Sequence, residues 1–216
     1  MYAERDFRRA ESGLSLIEAI VASFLTLIVV MGVYQTMEWG QRSYVDNAED
    51  VNARSNGRAV LELMAGDIRV AGYAPLGAAF NGIPAGSSTS IRILSDLNRN
   101  GVVGTAGETG ENLTWVFIGP QPGGVWELQR GIDLNGDGLF TGAGESVETA
   151  ATDVVQIDGD GDGTLDPFLS YDVAPPATKR VRISFGIRNQ TRDPLKKRYD
   201  VGPFRSEVAL RNRLLQ

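Results

Sequence analysis

Three stretches of this chain place oxygen-bearing side chains at alternate positions, an arrangement suited to wrapping a hard cation. The first begins Asp96-Leu97-Asn98-Arg99-Asn100-Gly101 and reaches Glu108; the second begins Asp133-Leu134-Asn135-Gly136-Asp137-Gly138 and reaches Glu145. Aligned on the first Asp, the two match in having oxygen donors at positions 1, 3 and 5, Gly at 6 and Glu at 13. Side-chain oxygens at 1, 3 and 5, a backbone carbonyl at 7 (Val102 and Leu139) and a Gly that permits a sharp turn are the donors of calcium-binding loops. The third stretch, Asp158-Gly159-Asp160-Gly161-Asp162-Gly163-Thr164, repeats this opening and adds Asp166 at position 9. Outside a cell, sites with dissociation constants of about 10⁻⁴–10⁻³ M would fill with Ca2+ and stiffen long loops. The Glu stands one place beyond position 12, the third stretch lacks it, and no helix pair flanks the loops, so a regulatory EF-hand is not expected. Asp, Asn and Gly are also the ordinary residues of turns, which is the competing reading.

A second kind of chemistry rests on one carboxylate near the amino terminus. In Gly13-Leu14-Ser15-Leu16-Ile17-Glu18, Glu18 opens an otherwise uncharged apolar run that continues to Met37. An ionised acid near a membrane core costs roughly 2.5–3.5 kcal/mol or more, so a lone one implies a function and a partner. At about 1.5 Å per helical residue, the run from Ala19 to Met37 nearly spans the ~30 Å hydrocarbon layer of a bilayer. Ahead of it Arg5, Arg8 and Arg9 hold the amino terminus in the cytoplasm and place the rest of the chain outside. The short polar leader precedes the apolar run, the reverse of a secretory signal peptide with its cleavage site after the apolar region.

Gly13, Leu14 and Glu18 together resemble the type IV prepilin motif. The resemblance implies that a prepilin peptidase cuts between Gly13 and Leu14 and methylates the new terminus, making Glu18 the fifth mature residue. Leu14 departs from the more usual Phe. The freed amine of Leu14 in one subunit would then offset the carboxylate of Glu18 in a neighbour, each favouring the charged form of the other.

Composition narrows the function further. The 216 residues include no Cys and no His, which removes thiolate chemistry, disulfides and the commonest general base and transition-metal ligand. No nucleophile–base arrangement and no phosphate-binding Gly loop is recognisable, so an enzyme is the weakest reading. The net charge is −6, with acid concentrated from Asp96 to Asp172 and base in Lys179, Arg180, Arg182, Arg188, Arg192, Lys196, Lys197 and Arg198. Nucleic acid is not an expected partner, and the basic stretch reads as a solvated sheet face.

The elements that must position these residues begin with one long helix. After Met37 the pattern turns amphipathic through Tyr44, Val45, Ala48, Val51, Val60, Leu61, Met64 and Ile68, and should stop near Ala71-Gly72-Tyr73-Ala74-Pro75. The segment Asn56-Gly57-Arg58-Ala59-Val60-Leu61-Glu62-Leu63-Met64, followed by Asp67-Ile68-Arg69-Val70-Ala71-Gly72-Tyr73, resembles the PilW-type minor pilins. Val208-Ala209-Leu210-Arg211-Asn212 is similar to the last strand of that family and of the minor pseudopilins of type II secretion.

Beyond Ser88 the candidate strands are short. Leu113, Trp115 and Phe117 alternate with Thr114, Val116 and Ile118, and a Gly/Pro-rich turn at 119–124 leads into a hairpin. Val181, Ile183, Phe185 and Ile187 should face a core while Arg180, Arg182, Ser184 and Arg188 face out. The expected fold is α+β and type IV pilin-like, with a long N-terminal helix, membrane-embedded in its first half, packed on an antiparallel β-sheet head. Its parts are a leader (1–13), a membrane or filament-core helix (14–38), an amphipathic helix (39–75) and a head with acidic loops (76–216).

The resemblance implies a non-catalytic minor pilin that primes or caps a type IV pilus. Its partners would be other minor and major pilins and the prepilin peptidase. It would stand in the inner membrane with a periplasmic head before assembly into an extracellular pilus. The alternatives are a minor pseudopilin of type II secretion and a calcium-stabilised adhesin at the pilus tip.

Overall fold

The computed structural model of the chain describes residues 15–77, 80–103, 110–134, 140–189 and 199–210. A helix, α1 (Leu16–Val70), is followed by β1 (Ser90–Leu94), β2 (Asn112–Gln121), β3 (Val125–Ile132), β4 (Ser146–Val155), β5 (Leu169–Tyr171), β6 (Arg180–Arg188) and β7 (Val201–Ala209). The chain divides into two compact units, Met1–Asn47 and Ala48–Gln216. The fold is α+β, as expected.

In the second unit the strands form one antiparallel sheet in the order β1-β2-β3-β4-β6-β5, with β7 also paired to β6. Strand β6 meets β4 at Gly186 and Ile187 and β5 at Val181, Arg182 and Ile183, while β7 pairs with it from Arg180 to Arg188. The hairpin expected around the Gly/Pro-rich turn is present as β2 and β3, with Gln121 opposite Val125.

The carboxy-terminal part of α1 is helical because its apolar positions form one stripe. Gly57, Val60, Met64, Ala65 and Ile68 are its buried residues, at spacings that return to one face of a helix. They join a core with Trp115, Phe117, Leu128, Phe168, Ile183, Phe185, Phe204 and Val208. Met64 and Ile68 are completely buried, each worth about 1.5–3 kcal/mol relative to exposure. Phe117 stacks on Phe168 with ring centroids 4.1 Å apart, and the Trp126 ring meets Phe168 edge-on at 5.2 Å. The helix stops where expected: Gly72 takes a φ of 75°, in the left-handed region open to glycine, and its N–H donates to the Leu94 carbonyl at 2.8 Å.

Asp67 ties this stripe to the sheet. Its Oδ2 accepts from Trp115 Nε1 at 3.0 Å and from Arg130 Nε at 2.9 Å. The Arg130 guanidinium, 5.8 Å from the centre of the Trp115 ring, also reaches Glu148 at 3.1 Å. The hydrogen bond to Asp67 raises the ionisation range of Arg130 further.

One expectation about strand faces needs correction. Ser184 does not face solvent; it is 1% exposed. The segment before β5 covers it, its N–H donating to the Phe168 carbonyl at 2.9 Å and its hydroxyl lying 3.3 Å from Asp166 Oδ2. Thr114 is likewise buried. It pairs with Gly131, over which the Phe140 ring lies so closely that an added Cβ would come within 2.7 Å of it. In both cases a connection folds across the outer face of the sheet.

Gly57 permits a close approach of α1 to the sheet, since a Cβ there would clash with the Phe204 ring. Gly57→Ala should therefore destabilise the protein by about 1–3 kcal/mol through overpacking, outweighing a helix-propensity gain of up to ~1 kcal/mol. Thermal or urea unfolding of the full-length chain in detergent measures this, and Phe204→Leu added to Gly57→Ala should recover part of the loss. An unchanged unfolding midpoint in the single variant would contradict the packing account.

Candidate functional site

In the first unit, α1 presents an apolar surface with one acid at its start. Leu16, Ile17, Ile20, Phe24, Leu25, Ile28, Val29 and Met31 are all exposed, and the helix is long and apolar enough to cross a membrane. Glu18 lies in its first turn, where the partial positive charge of the helix end favours a carboxylate. Ser15 caps this turn: its carbonyl accepts from Glu18 N–H at 3.0 Å and its Oγ does so at 3.3 Å. Ser15 and Glu18 thus have the spacing of a capping box, with the Ser15 half of it formed. Gly13 and Leu14, the expected processing site, lie outside the described residues.

Three hydroxyls along this helix are turned onto its own backbone. Ser23, Thr26 and Thr36 donate to the carbonyls of Ala19, Ala22 and Gly32 at 2.8, 2.7 and 2.8 Å, which satisfies them without solvent. Charged pairs on the helix begin with Glu38 and Arg42, followed by Asp50 and Arg54.

In the second unit, the first two acidic loops open from one end of the sheet. Asp96 follows β1, and Glu111 immediately precedes β2; Asp133 follows β3, and Glu145 immediately precedes β4. Between the loops, Asn112 Nδ2 donates to the Asp133 carbonyl at 2.8 Å while its Oδ1 accepts from Arg92 Nε at 2.9 Å. Asp96, Glu111, Asn112 and Asp133 are all buried.

In the first loop Asp96 receives the amides of Asn100 and Gly101 at 3.0 and 3.1 Å. Asn98 Oδ1 accepts from Asn100 N–H at 2.9 Å, and Asn100 Oδ1 from Val102 N–H at 2.7 Å. Glu108 lies outside the described residues. Glu111, which the spacing rule passes over, turns back onto this loop and accepts from Asn98 N–H at 2.7 Å. Its only sequence signal is an acid directly ahead of the apolar alternation of β2. In the second loop Glu145 accepts from Leu134 N–H at 3.2 Å and Gly142 N–H at 2.5 Å. Asn135, Asp137 and Leu139 lie outside the described residues.

The third loop is solvent-facing. Asp158, Asp160 and Asp162 bring one carboxylate oxygen each within 4.8 Å of the others, a grouping that could hold a metal ion. Asp158 also accepts from the amides of Gly161 and Gly163 at 2.7 and 2.9 Å. The hydroxyl and amide of Thr164 donate to Asp162 Oδ1 and hold its carboxyl below the usual carboxylate range. Asp166 stands apart from this group: its Oδ2 receives Arg205 Nη2 at 2.8 Å and Gly159 N–H at 3.1 Å.

On the basic strand, Arg180 and Arg182 reach Glu207 of β7, and Arg188 pairs with Asp153 at 3.3 Å and lies 4.3 Å over the Tyr199 ring. Arg192, Lys196, Lys197 and Arg198 lie outside the described residues.

Arg205 fastens the third loop by two contacts, Asp166 and the Gly159 carbonyl at 3.1 Å. Arg205→Ala should therefore raise the rate of limited proteolysis within residues 158–166 several-fold, since such loops open locally when their few ties are cut. The control Arg182→Ala should leave cleavage there unchanged, and equal rates in the two variants would remove the tie.

Comparisons of the chain with protein-family models, curated proteins and solved structures found no match.

Proposed function

We propose that the protein is a minor pilin: a non-catalytic subunit held in the inner membrane, processed after Gly13, and joined to other pilins to prime or cap a type IV pilus. The observation that carries this reading is the amino-terminal helix, whose apolar side chains are exposed around a single acid in the first turn. A soluble monomer rarely leaves so large a contiguous apolar patch uncovered, and lipid or a bundle of similar helices would each cover it. The α+β head, with its helix stripe laid on an antiparallel sheet, is compatible with a pilin-like fold.

Processing is the first test. Coexpression of the full chain with a prepilin peptidase should yield a mature polypeptide beginning at Leu14, read from its intact mass and amino-terminal residue. A product that still begins at Met1 would overturn the reading.

The role of Glu18 is separable from its place in the helix cap. Glu18→Gln keeps a residue suited to a capping box but removes the charge, whereas Glu18→Ala removes both. If the acid pairs with the freed amine of a neighbouring subunit, both variants should insert into the membrane normally. Both should enter filaments on the order of tenfold less, equivalent to about 1.4 kcal/mol. Normal incorporation of the Gln variant alone would assign Glu18 to the cap and dismiss the pairing.

A further inference from the structure

Glu111 and Asp96 pose a charge problem inside the head. Asp96 is 0% exposed and Glu111 1%, and both carboxylates turn onto the same short loop. Asp96 accepts from Asn100 and Gly101, and Glu111 Oε1 accepts from Asn98. The other oxygen, Glu111 Oε2, is buried and has no hydrogen-bond partner.

No salt bridge reaches either acid among the described residues. Arg92 Nε is engaged by Asn112, and Arg99, the only cationic residue of the loop, makes no ion pair among them. Backbone amides can solvate a carboxylate, but two buried acids with one bare oxygen have, among the described residues, no positive partner of the kind that burial of charge requires.

We infer that Asp96 and Glu111 hold a divalent cation of calcium type against the β1–β2 loop, with Glu111 Oε2 as a direct ligand. Every donor is an oxygen, which selects a hard cation over zinc or copper. The backbone already brings the two ends of the loop together, since Ser95 N–H donates to the Glu111 carbonyl at 3.0 Å. A cation there would join the exit of β1 to the entry of β2 and supply the missing charge. Glu111 thereby provides the closing carboxylate that spacing alone assigns to Glu108.

The test uses the full-length chain in detergent, stripped with a chelator and titrated with Ca2+ alone. Binding stoichiometry by calorimetry or equilibrium dialysis should fall by one ion per chain in Glu111→Gln and in Asp96→Asn. Asp160→Asn, in the exposed third loop, should leave this particular site filled. In chelator, Glu111→Gln should melt no lower than the parent, because it removes an unpaired buried charge. In Ca2+ at about 1 mM, a concentration suited to extracellular sites, the parent should rise in melting temperature by more than the variant.

Should both variants misfold, hydrogen exchange on the unaltered chain decides the matter: Ca2+ should slow exchange at Asn98, Asn100 and Gly101 at least tenfold. A parent that binds no Ca2+, a Glu111→Gln variant with the parent's stoichiometry, or unaltered exchange across that loop would each overturn the inference. It is independent of the pilin reading, since a failure of processing at Gly13 would leave it intact.

Discussion

The carboxylate of Asp67 sets how the helix meets the sheet. A stripe of apolar side chains can slide or roll on a sheet at modest cost, because dispersion contacts are individually weak and non-directional. A half-buried acid that accepts from Trp115 of β2 and Arg130 of β3 has no such freedom. Moving the helix by one turn would take the partners from the Trp115 indole N–H and the Asp67 carboxylate and leave the Arg130 guanidinium only Glu148, at a cost of several kcal/mol. Gly57 and Phe204 fix the separation in the same way, one by lacking a side chain and the other by filling the space. Packing supplies most of the stability here, and these two contacts select one arrangement.

The residues that carry the PilW-type resemblance divide into those whose physical role is visible and those whose role is not. Gly57 admits the Phe204 ring, Asp67 binds the sheet, Ala71 is completely buried, and Gly72 supplies the left-handed turn that ends the helix. Val60, Met64 and Ile68 fill the core. Arg58 and Arg69, by contrast, make no side-chain hydrogen bond or ion pair among the described residues. The resemblance is therefore largely a signature of how a helix docks on a sheet, and it speaks more to architecture than to what the head touches.

Local pattern made much of this fold legible. The helix, its end at Gly72, the β2–β3 hairpin and the inward set of β6 all follow from periodicity and turn chemistry. What escaped depends on distant segments. Strand β4 buries only Val154 and so carries no clean alternation; its neighbours β3 and β6 hold it in place. Ser184 and Thr114 are covered by connections whose paths no local rule gives. The acidic loops were recognisable from spacing, yet Glu111 was not, because its place opposite Asn98 follows from the pairing of β1 with β2. The capping of Glu18 by Ser15 is legible in their i, i+3 spacing, beside a hydrophobic run that carries the stronger signal.

The inward-turned hydroxyls of Ser23, Thr26 and Thr36 bear on what surrounds the first unit. With those groups bonded to their own backbone, the flank of this helix from Ala19 to Val33 makes no demand on its surroundings for donors or acceptors. Exchanging acyl chains for the side of another apolar helix would break no hydrogen bond along it. Direction along such a surface can come only from its ends, and in the first turn of the helix the group with a preference for its company is the acid at position 18.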